Sequence, residues 1–500
     1  MRVLTPQQMR AVDAASSSGG GDVALMRTAG ERIAEMARRY ARGSKIVAFA
    51  GSGNNGGDAF AALAMLPASF ERIVYADLAD RPSAARRDAE RHAGEAGVIV
   101  RSLPQTFGQA RAALEGCAVA LDGLLGTGAR LPLPQKYDAP VTALNDSAAA
   151  VLAIDVPSGV DTATGAAGDV CVDADVTITL GALKIGLLLE PARSHAGELW
   201  LAEIGLSEKA LAEQPAEFAA LDDTEFMQLL PKRAQDSDKR KAGAPLIVAG
   251  SEQFPGAAIL SALGAARSGA GYVTVAAPRV ALPALRAHLV EQVAVELTSA
   301  KDLLDVAERC SAVGIGPGLG LDDTTGGIVR DFVKRCDLPI VADASALFHF
   351  AKHLDMLRGK RIVLTPHAGE FARLSGKGTI KPGERIDRLR EFVDRTGVTT
   401  LLKGDATLIY DGKTMHVNTT GTPLLATAGT GDVLTGMTAT LLSQGLAPID
   451  AARAAVYWHG LAARKAGAQR PVGVIARDVA DALGSAIPCD PPRGALVRIY

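Results

Sequence analysis

The stretch Lys45-Ile-Val-Ala-Phe-Ala-Gly-Ser-Gly-Asn-Asn-Gly-Gly-Asp58 decides the fold of the first half of the chain. Its β-branched, apolar start predicts a buried strand, and the glycines that follow predict a tight turn. Residues 59–66 are rich in alanine and have the pattern of a helix. A strand, a glycine turn and a helix in this order indicate βαβ units and a mainly parallel sheet.

The same order of elements recurs along the rest of the chain. Further strands are predicted at 72–76, 98–100, 119–122, 151–155 and 176–180, and then at 245–249, 272–275, 312–316, 339–343, 361–366 and 399–403. The pair Asp411-Gly412 between alternating residues predicts a β-hairpin, and helices are predicted at 432–442, 449–466 and 476–483. The alternation of predicted strands and helices stops between about Gly205 and Gly243. We therefore expect two α/β domains, residues 1–221 and 222–500.

Composition excludes several classes of protein. The 500 residues contain 53 Lys and Arg against 55 Asp and Glu, and this balance argues against a nucleic-acid-binding protein. The most apolar long stretch, 256–278, is interrupted by Arg267 and by glycines, so we expect no membrane span. Five scattered cysteines without a CxxC pair argue against a disulfide framework or a zinc knuckle. The N-terminus lacks the apolar run of a signal peptide, so we expect a cytoplasmic protein.

The first glycine loop matches GxGxxG at Gly51, Gly53 and Gly56. Taken alone, this match fits either a dinucleotide-binding fold or a tight βα turn. A carboxylate at Asp58, where the helix begins, would repel a pyrophosphate held by the helix N-terminus. The amide side chains of Asn54 and Asn55 also indicate a polar, partly neutral ligand or a cation.

Two later strands of the first half also end in carboxylates, Asp122 and Asp155. Ligands of open parallel sheets bind beyond the carboxyl ends of the strands, so loops 51–58, 122–132 and 155–159 should converge. Each carboxylate alone could be a helix cap. Three of them at successive strand ends favour a site.

A second glycine-rich turn, Thr427-Ala-Gly-Thr-Gly-Asp432, leads directly into a predicted helix. The backbone amides of Thr430 and Gly431 would face an anion at the positive end of this helix. Asp432 then fits a general base that accepts a hydroxyl proton, with an N-terminal capping role as the alternative. No Walker A loop is present, because Thr407 occupies the position that the first glycine would need before Gly412-Lys-Thr.

The residues 53–58, Asp122 with Gly126-Thr-Gly128, and Asp155-Val-Pro-Ser-Gly159 together resemble the NAD(P)H-hydrate epimerase family over roughly the first two hundred residues. The resemblance implies a Rossmann-like three-layer domain and a K⁺ ion held by Asn55, Asp122 and Ser158. Asp122 or Asp155 could be the acid–base group, and the K⁺ role of Asp122 favours Asp155 as catalytic. One departure is Ala59, where the family commonly has glycine. The substrate positions implied are Asn54, Asn55, Gly56, Gly57, Asp58, Gly126, Thr127, Gly128, Ala129, Arg130, Leu131, Pro132 and Asp155.

The second half resembles the ribokinase-like kinases and, more narrowly, the ADP-dependent NAD(P)H-hydrate dehydratases. Five ordered motifs carry this resemblance from about residue 225 onward: 255–258, 316–320, 365–370, 403–407 and 429–432. It implies a ribokinase-like α/β domain, Mg²⁺, and Asp432 as the catalytic base. The implied substrate positions are Ala257, Gly318, His367 and Asp432, and the implied ADP positions are Lys403, Gly404, Asp405, Ala406, Thr407 and Gly431.

Several positions depart from the dehydratase pattern and put efficiency or nucleotide preference in doubt. Ser345 replaces a common second aspartate, Asp238 and Arg240 stand where a His-Lys-Gly run is usual, and Ala428 replaces a glycine. Residues Thr422, Leu424 and Leu425 replace the usual Asn-Pro-Gly-Met context.

Together the two halves imply repair of hydrated NADH and NADPH, with these hydrates and ADP as small-molecule partners and with a homo-oligomeric assembly. One alternative is a ribokinase-like kinase of a vitamin or sugar alcohol. Another is an N-terminal domain that binds a ligand without catalysis, since a fold guarantees no chemistry.

Overall fold

A computed structural model describes residues 1–17, 21–78, 81–470, 472–489 and 494–500. The chain forms two compact units. The first unit consists of Arg2–Phe218 with Pro492–Tyr500, and the second consists of Ala219–Pro491 with Met1. Among the described residues, no helix is long and apolar enough to cross a membrane.

In chain order, the strands are β1 (Arg2–Leu4), β2 (Lys45–Ala50), β3 (Glu71–Ala76), β4 (Ile99–Ser102), β5 (Val119–Gly123), β6 (Ala150–Ile154), β7 (Val176–Leu180), β8 (Leu183–Lys184), β9 (Glu198–Ala202), β10 (Phe218–Ala219), β11 (Pro245–Val248), β12 (Thr274–Ala277), β13 (Val293–Glu296), β14 (Ala312–Ile315), β15 (Ile340–Ala342), β16 (Ile362–Leu364), β17 (Thr399–Leu402), β18 (Leu408–Tyr410), β19 (Met415–Val417) and β20 (Leu496–Arg498).

The α-helices are α1 (Pro6–Ser16), α2 (Gly21–Tyr40), α3 (Asn54–Met65), α4 (Ala84–Glu95), α5 (Phe107–Leu114), α6 (Asp138–Asn145), α7 (Ala192–His195), α8 (Glu208–Glu213), α9 (Asp223–Leu229), α10 (Pro255–Arg267), α11 (Leu282–His288), α12 (Ala300–Ala307), α13 (Asp323–Arg335), α14 (Ser345–Phe350), α15 (Ala368–Ser375), α16 (Arg385–Thr396), α17 (Thr430–Ser443), α18 (Pro448–Gln469) and α19 (Ala476–Ala482).

The first unit has three layers around a sheet of order β20-β9-β7-β6-β5-β2-β3-β4. Its strands are parallel except for β20, which pairs antiparallel with β9. Side chains alternate between the two faces of β2: Ile46 packs with α2 and α3, whereas Val47 and Phe49 pack with α5 and α6. Burial on both faces explains why the strand is a continuous apolar run. The parallel α/β prediction is confirmed for this unit.

The second unit has a sheet of order β13-β12-β11-β14-β15-β16-β17-β18-β19. It is parallel as far as β17, and the last two strands form the antiparallel hairpin that Asp411-Gly412 predicts. Gly264 of α10 and Gly436 of α17 allow these two helices to pack closely, because a side chain at either position would overlap the backbone of the other helix. This contact fixes the start of α17, where Asp432 lies. Two short helices, α8 and α9, lie in the segment where the sequence pattern is lost.

Candidate active sites

The polar strand ends of the first unit surround one cavity of about 400 Å³. Strand β5 lies between β2 and β6, so the loops that follow these three strands meet at one edge of the sheet. The predicted substrate positions in the wall are Asn54, Asn55, Asp58, Gly126, Thr127, Gly128, Ala129 and Asp155. Helix α1 contributes to the same wall with Met9, Arg10 and Asp13.

The other predicted substrate positions lie outside this wall. Gly56 and Gly57 are buried in the first turn of α3. Arg130, Leu131 and Pro132 are not among the residues that line the cavity within the described part of the chain. Contact of these five residues with a substrate stays a prediction.

Asp155 is held at the cavity by an ion pair with Lys184, a buried residue of β8. The Lys184 Nζ atom also donates to the Leu180 carbonyl at 2.8 Å, and Thr127 donates to the Asp155 carboxylate from its hydroxyl at 2.5 Å. Burial acts to raise the pKa of Asp155, but the Lys184 charge and the hydrogen bonds that Asp155 accepts from Lys184, Thr127 and the Leu180 amide outweigh it and lower the pKa. Asp155 has a positive φ of 67°, a conformation that is costly without glycine and is frequent at functional sites.

Two further carboxyl groups of the cavity, Asp13 and Asp58, have raised pKa values. Burial raises the pKa of Asp13 to about 6, with Lys184 opposing and Asp155 adding to the shift. Burial, followed by the charges of Asp155 and Asp13, raises the pKa of Asp58 well above its ordinary value. The cavity therefore places an ionised carboxylate beside carboxyl groups that hold protons more tightly, a combination suited to acid–base chemistry.

Sequence reasoning missed Lys184 and Asp13. The sequence does point to Lys184 as a functional candidate, because it is a lone charge in the apolar run from Leu180 to Leu189. It does not point to Asp13, since acidic residues are common on a polar helix such as α1. Only the packing of α1 shows that this carboxyl faces the cavity.

The predicted K⁺ ligands lie in one hydrogen-bonded group. The buried Asp122 carboxylate accepts from the Ser158 amide and from the Ser158 hydroxyl, each at 2.7 Å. The Asn55 amide donates to the Leu125 carbonyl at 2.9 Å, and the Leu125 amide donates to the Ser158 hydroxyl at 3.0 Å. Burial raises the pKa of Asp122 to about 6 despite these donors. One carboxylate with neutral oxygens suits a monovalent cation, so these residues fit K⁺.

In the second unit, Asp432 lies in the first turn of α17, and this helix begins directly after Gly429, which has a φ of 90°. The neighbouring carboxylate of Asp343 accepts from Lys403 Nζ at 2.8 Å and from the Thr435 hydroxyl at 3.1 Å. Burial raises the pKa of Asp432 to about 7, Asp343 adds to the shift and Lys403 opposes it. An aspartate that titrates near neutral pH is well matched to a general base.

Asp343 is a residue that sequence reasoning missed as functional. Asp343 ends a predicted strand, and this position is the signal that the sequence offers; the departure from the family pattern lies two residues later, at Ser345. In the glycine turn, the Thr430 amide donates to the Thr427 carbonyl at 3.4 Å, and Gly429 has a left-handed conformation; contact of the Thr430 amide with an anion stays a prediction. The same holds for the Gly431 amide.

The predicted nucleotide segment 403–407 begins in this group of charges. Lys403 forms an ion pair with Asp343. Burial acts to lower the pKa of Lys403, but the negative charge of Asp343 outweighs burial and raises this pKa. Asp405 forms an ion pair with Arg385 of α16, and a side chain at Gly404 would overlap the Arg385 guanidinium. Ala406 and Thr407 are buried. Contact of these residues with a nucleotide stays a prediction.

The four predicted substrate positions of the second unit lie in different parts of it, and Asp432 is the one in α17. Ala257 of α10 and Gly318 lie together, since a side chain at Gly318 would come within 2.8 Å of the Ala257 Cβ atom. His367 caps α15, and its Nδ1 atom accepts from the Gly369 amide at 3.0 Å. This histidine therefore has a structural role, and its Nε2 side stays a candidate for substrate contact.

Some of the departures from the dehydratase pattern have local roles. Asp238 accepts from the amides of Arg240 and Lys241, an arrangement that closes a turn. The Ser345 hydroxyl donates to the Leu319 carbonyl at 2.6 Å. Thr422 caps the short 3₁₀ helix Pro423–Leu425.

Comparison with known proteins identifies similar families in both halves. The family described as NAD(P)H-hydrate dehydratase matches residues 245–484, and the family described as YjeF-related protein N-terminus matches residues 22–186. A bifunctional NAD(P)H-hydrate repair enzyme from Pyrobaculum aerophilum is 34% identical over 92% of each chain. One from Moorella thermoacetica is 35% identical over 94% of this chain and 93% of the relative. The solved structure of an ADP/ATP-dependent NAD(P)H-hydrate dehydratase from Bacillus subtilis is 32% identical with a TM-score of 0.47, and covers 53% of this chain and 95% of that one.

Proposed function

Because the chain belongs to the family of bifunctional NAD(P)H-hydrate repair enzymes, we propose that it restores NADH and NADPH from their hydrates by two activities. The first unit is Rossmann-like and the second is ribokinase-like, as the sequence predicts. The first unit would interconvert the R and S hydrates. The second would dehydrate the S hydrate while it consumes ADP.

The dehydration uses phosphorylation to create a leaving group. Asp432 takes the proton of the substrate hydroxyl, and the hydroxyl oxygen attacks the terminal phosphorus of ADP, which releases AMP. The carbon–oxygen bond of the phosphorylated hydrate then breaks and inorganic phosphate leaves with the bonding electrons. The adjacent carbon gives up a proton to this phosphate, and its C–H electrons form the double bond of NAD(P)H. Hydroxide alone is a poor leaving group, so the nucleotide is required.

The observation that carries this proposal is the group of Asp432, Asp343 and Lys403 at the start of α17. Burial and Asp343 raise the pKa of Asp432 to about 7. In this proposal the Lys403 ammonium and the Gly431 amide would receive the transferring phosphoryl group. Mg²⁺ bound to the nucleotide would offset the phosphate charge. No cluster of three or more His, Cys, Asp or Glu side chains suited to a metal occurs in the described ranges, so the nucleotide phosphates would supply most of its ligands.

The test is incubation of the purified protein with mixed R and S hydrates, with and without ADP or ATP, followed by NADH absorbance. We expect complete recovery that depends on the nucleotide, with free phosphate as a product. The Asp432→Asn variant should lose about 10²- to 10⁴-fold in rate while it still equilibrates the epimers. Near-normal turnover of this variant would remove the base role. A stable phosphoester would indicate a small-molecule kinase, and no reaction with either nucleotide would contradict the dehydratase.

In the first unit, epimerisation requires the hydroxyl to leave the ring carbon next to the ring nitrogen and to return on the opposite face. One group must donate a proton to the departing oxygen, and one must accept a proton from the returning water. Asp155 has a lowered pKa and suits the acceptor, whereas Asp58 and Asp13 have raised pKa values and suit the donor. We assign the acceptor role to Asp155.

An Asp155→Asn variant tests this assignment, with Asp173→Asn as a matched control because Asp173 is an exposed aspartate outside the cavity wall. Chromatography of the two epimers over time should show slow equilibration for the first variant and a normal rate for the second. Normal equilibration by Asp155→Asn would exclude the role.

Asn55, Asp122 and Ser158 would hold K⁺ in this proposal. The ion would neutralise the buried Asp122 carboxylate and hold the loops after β2, β5 and β6 around the substrate. The homo-oligomeric state and the cytoplasmic location also stay predictions, and light scattering of the purified protein tests the first of them.

A further inference from the structure

Arg86 of α4 is a fully buried arginine that lies behind the first glycine loop. It is among the largest fully buried side chains of the described chain, at 0% exposure. Its Nη1 atom donates to the Gly51 carbonyl at 2.6 Å and to the Gly53 carbonyl at 2.8 Å. Its Nε atom donates to Glu90 at 2.6 Å, and the guanidinium lies 4.8 Å from the ring centre of Phe60. Arg86 thus joins α4 to the loop 51–58 through two backbone carbonyls, while its ion-pair partner Glu90 lies on α4 itself.

The position of Arg86 gives Gly56 a role that differs from the one that a GxGxxG pattern implies. A side chain at Gly56 would overlap the Arg86 guanidinium and the Gly51 carbonyl. In a dinucleotide-binding fold this third glycine of GxGxxG serves close helix–strand packing, whereas here the space holds an arginine. A second contact from the same helix end reaches the loop, since the Ser83 hydroxyl donates to the Asn54 side chain at 2.7 Å.

Arg86 does not line the cavity, whereas Asn54, Asn55 and Asp58 do. By accepting from Arg86, the carbonyls of Gly51 and Gly53 point away from the ligand side of the loop. The cost of burying the cation is offset in part by one carboxylate and two loop carbonyls, and its Nη2 atom is buried without a hydrogen-bond partner among the described residues.

We propose that Arg86 is a positioning residue of the epimerase, which holds loop 51–58 so that its polar side chains face the substrate. The inference rests on the proposed epimerase function. Arg86 touches no reacting atom and acts chiefly through the loop, so it should mainly set the affinity for the hydrate. Its charge also opposes the rise in the pKa of Asp58, so Arg86→Met should change kcat slightly through Asp58 and leave the proton transfer at Asp155 almost unchanged. A purely structural role would instead reduce the amount of active enzyme, which lowers kcat without a change in KM.

The experiment compares the full-length Arg86→Met, Arg86→Lys and Glu90→Gln variants. For Arg86→Met we expect the KM of epimerisation to rise about tenfold or more with kcat within about threefold. Arg86→Lys keeps a positive charge and N–H donors but loses the fixed planar geometry of the guanidinium, and it should fall between this variant and the wild type. Glu90→Gln, which removes a charge on the far side of the guanidinium, should keep the wild-type KM. The dehydratase rate of each preparation, measured on the S hydrate, reports that the rest of the chain is intact.

Hydrogen exchange gives a second readout that does not depend on activity. Peptides that cover 51–58 should exchange faster in Arg86→Met, and peptides from β5 and β6 should be unchanged. If Arg86→Met does not fold, Arg86→Lys decides by the same two measurements. A wild-type KM together with wild-type exchange in a folded variant would overturn the proposal, as would a fall in kcat alone. A wild-type protein that fails to epimerise would instead contradict the proposed function, and the exchange data would still test the loop contact.

Discussion

Replacement of Asp343 by Asn should move the pH dependence of the dehydratase toward acid. Asp343 is 4% exposed, and its carboxylate faces both Lys403 and the base Asp432. Its negative charge helps to hold the pKa of Asp432 near 7. The Asn side chain keeps the shape but removes the repulsion, and Lys403 then stabilises ionised Asp432 without a competitor. The pKa of Asp432 should therefore fall, by about one unit for the loss of a nearby like charge.

The size of the effect follows from the ionised fraction of Asp432. With a pKa of about 7, about one-tenth of the base is ionised at about pH 6, so kcat/KM at about pH 6 should be roughly 0.1 of its value at about pH 8. With a pKa of about 6, half is ionised, and this ratio should rise to about 0.5. The ratio does not depend on the absolute rate, which should fall in the variant because Lys403 loses its partner.

The assay is recovery of NADH absorbance from the S hydrate with ADP at a series of pH values. Thr435→Val is the matched control, because it removes the hydroxyl that donates to Asp343 at 3.1 Å but keeps the charge. For Thr435→Val, the ratio of kcat/KM at about pH 6 to kcat/KM at about pH 8 should stay near that of the wild type. An Asp343→Asn profile that superimposes on the wild type, or that moves to higher pH, would refute the electrostatic reasoning.

Three further predictions concern other parts of the chain. Lys184→Met leaves Asp155 buried without its cation and should destabilise the first unit by about 3–5 kcal/mol. The lowered pKa of Asp155 gives a stabilisation that is fully present above the unfolded pKa of about 3.9 and is lost as pH falls below that value through the folded pKa, so urea unfolding should show a smaller difference only as pH falls below about 3.9. Asp122→Asn should abolish any rise of the melting temperature that KCl gives over choline chloride, and an equal rise in both proteins would contradict the K⁺ assignment. Gly429→Ala forces a side chain into a φ of 90° and within 2.5 Å of Leu260, so it should cost about 1–2 kcal/mol or more and lower the dehydratase rate, whereas the epimerase rate of the same sample should not change.

Much of the fold could be predicted from local patterns. Apolar runs such as Lys45–Ala50, followed by glycine turns and alanine-rich segments, predict parallel α/β units because the repeat of side-chain burial differs between strands and helices. The hairpin at Asp411-Gly412 was predictable for a similar reason, since this pair favours one turn type. The antiparallel strand Leu496–Arg498 was not, because its partner β9 is far away in the chain.

The sequence by itself determined which residues stand at strand ends and helix starts, and so it identified Asp122, Asp155 and Asp432 as candidates. It could not determine their partners. Lys184 of β8 forms an ion pair with Asp155 at the end of β6. Asp343, at the end of β15, accepts from Lys403 and Thr435. Arg86 of α4 donates to the Gly51 carbonyl. These contacts, and the burial that shifts each pKa, depend on how separate elements pack in space. Spacing along the chain fixes the element and the face on which a charge lies, but only the tertiary structure fixes which charges meet and how much water remains between them.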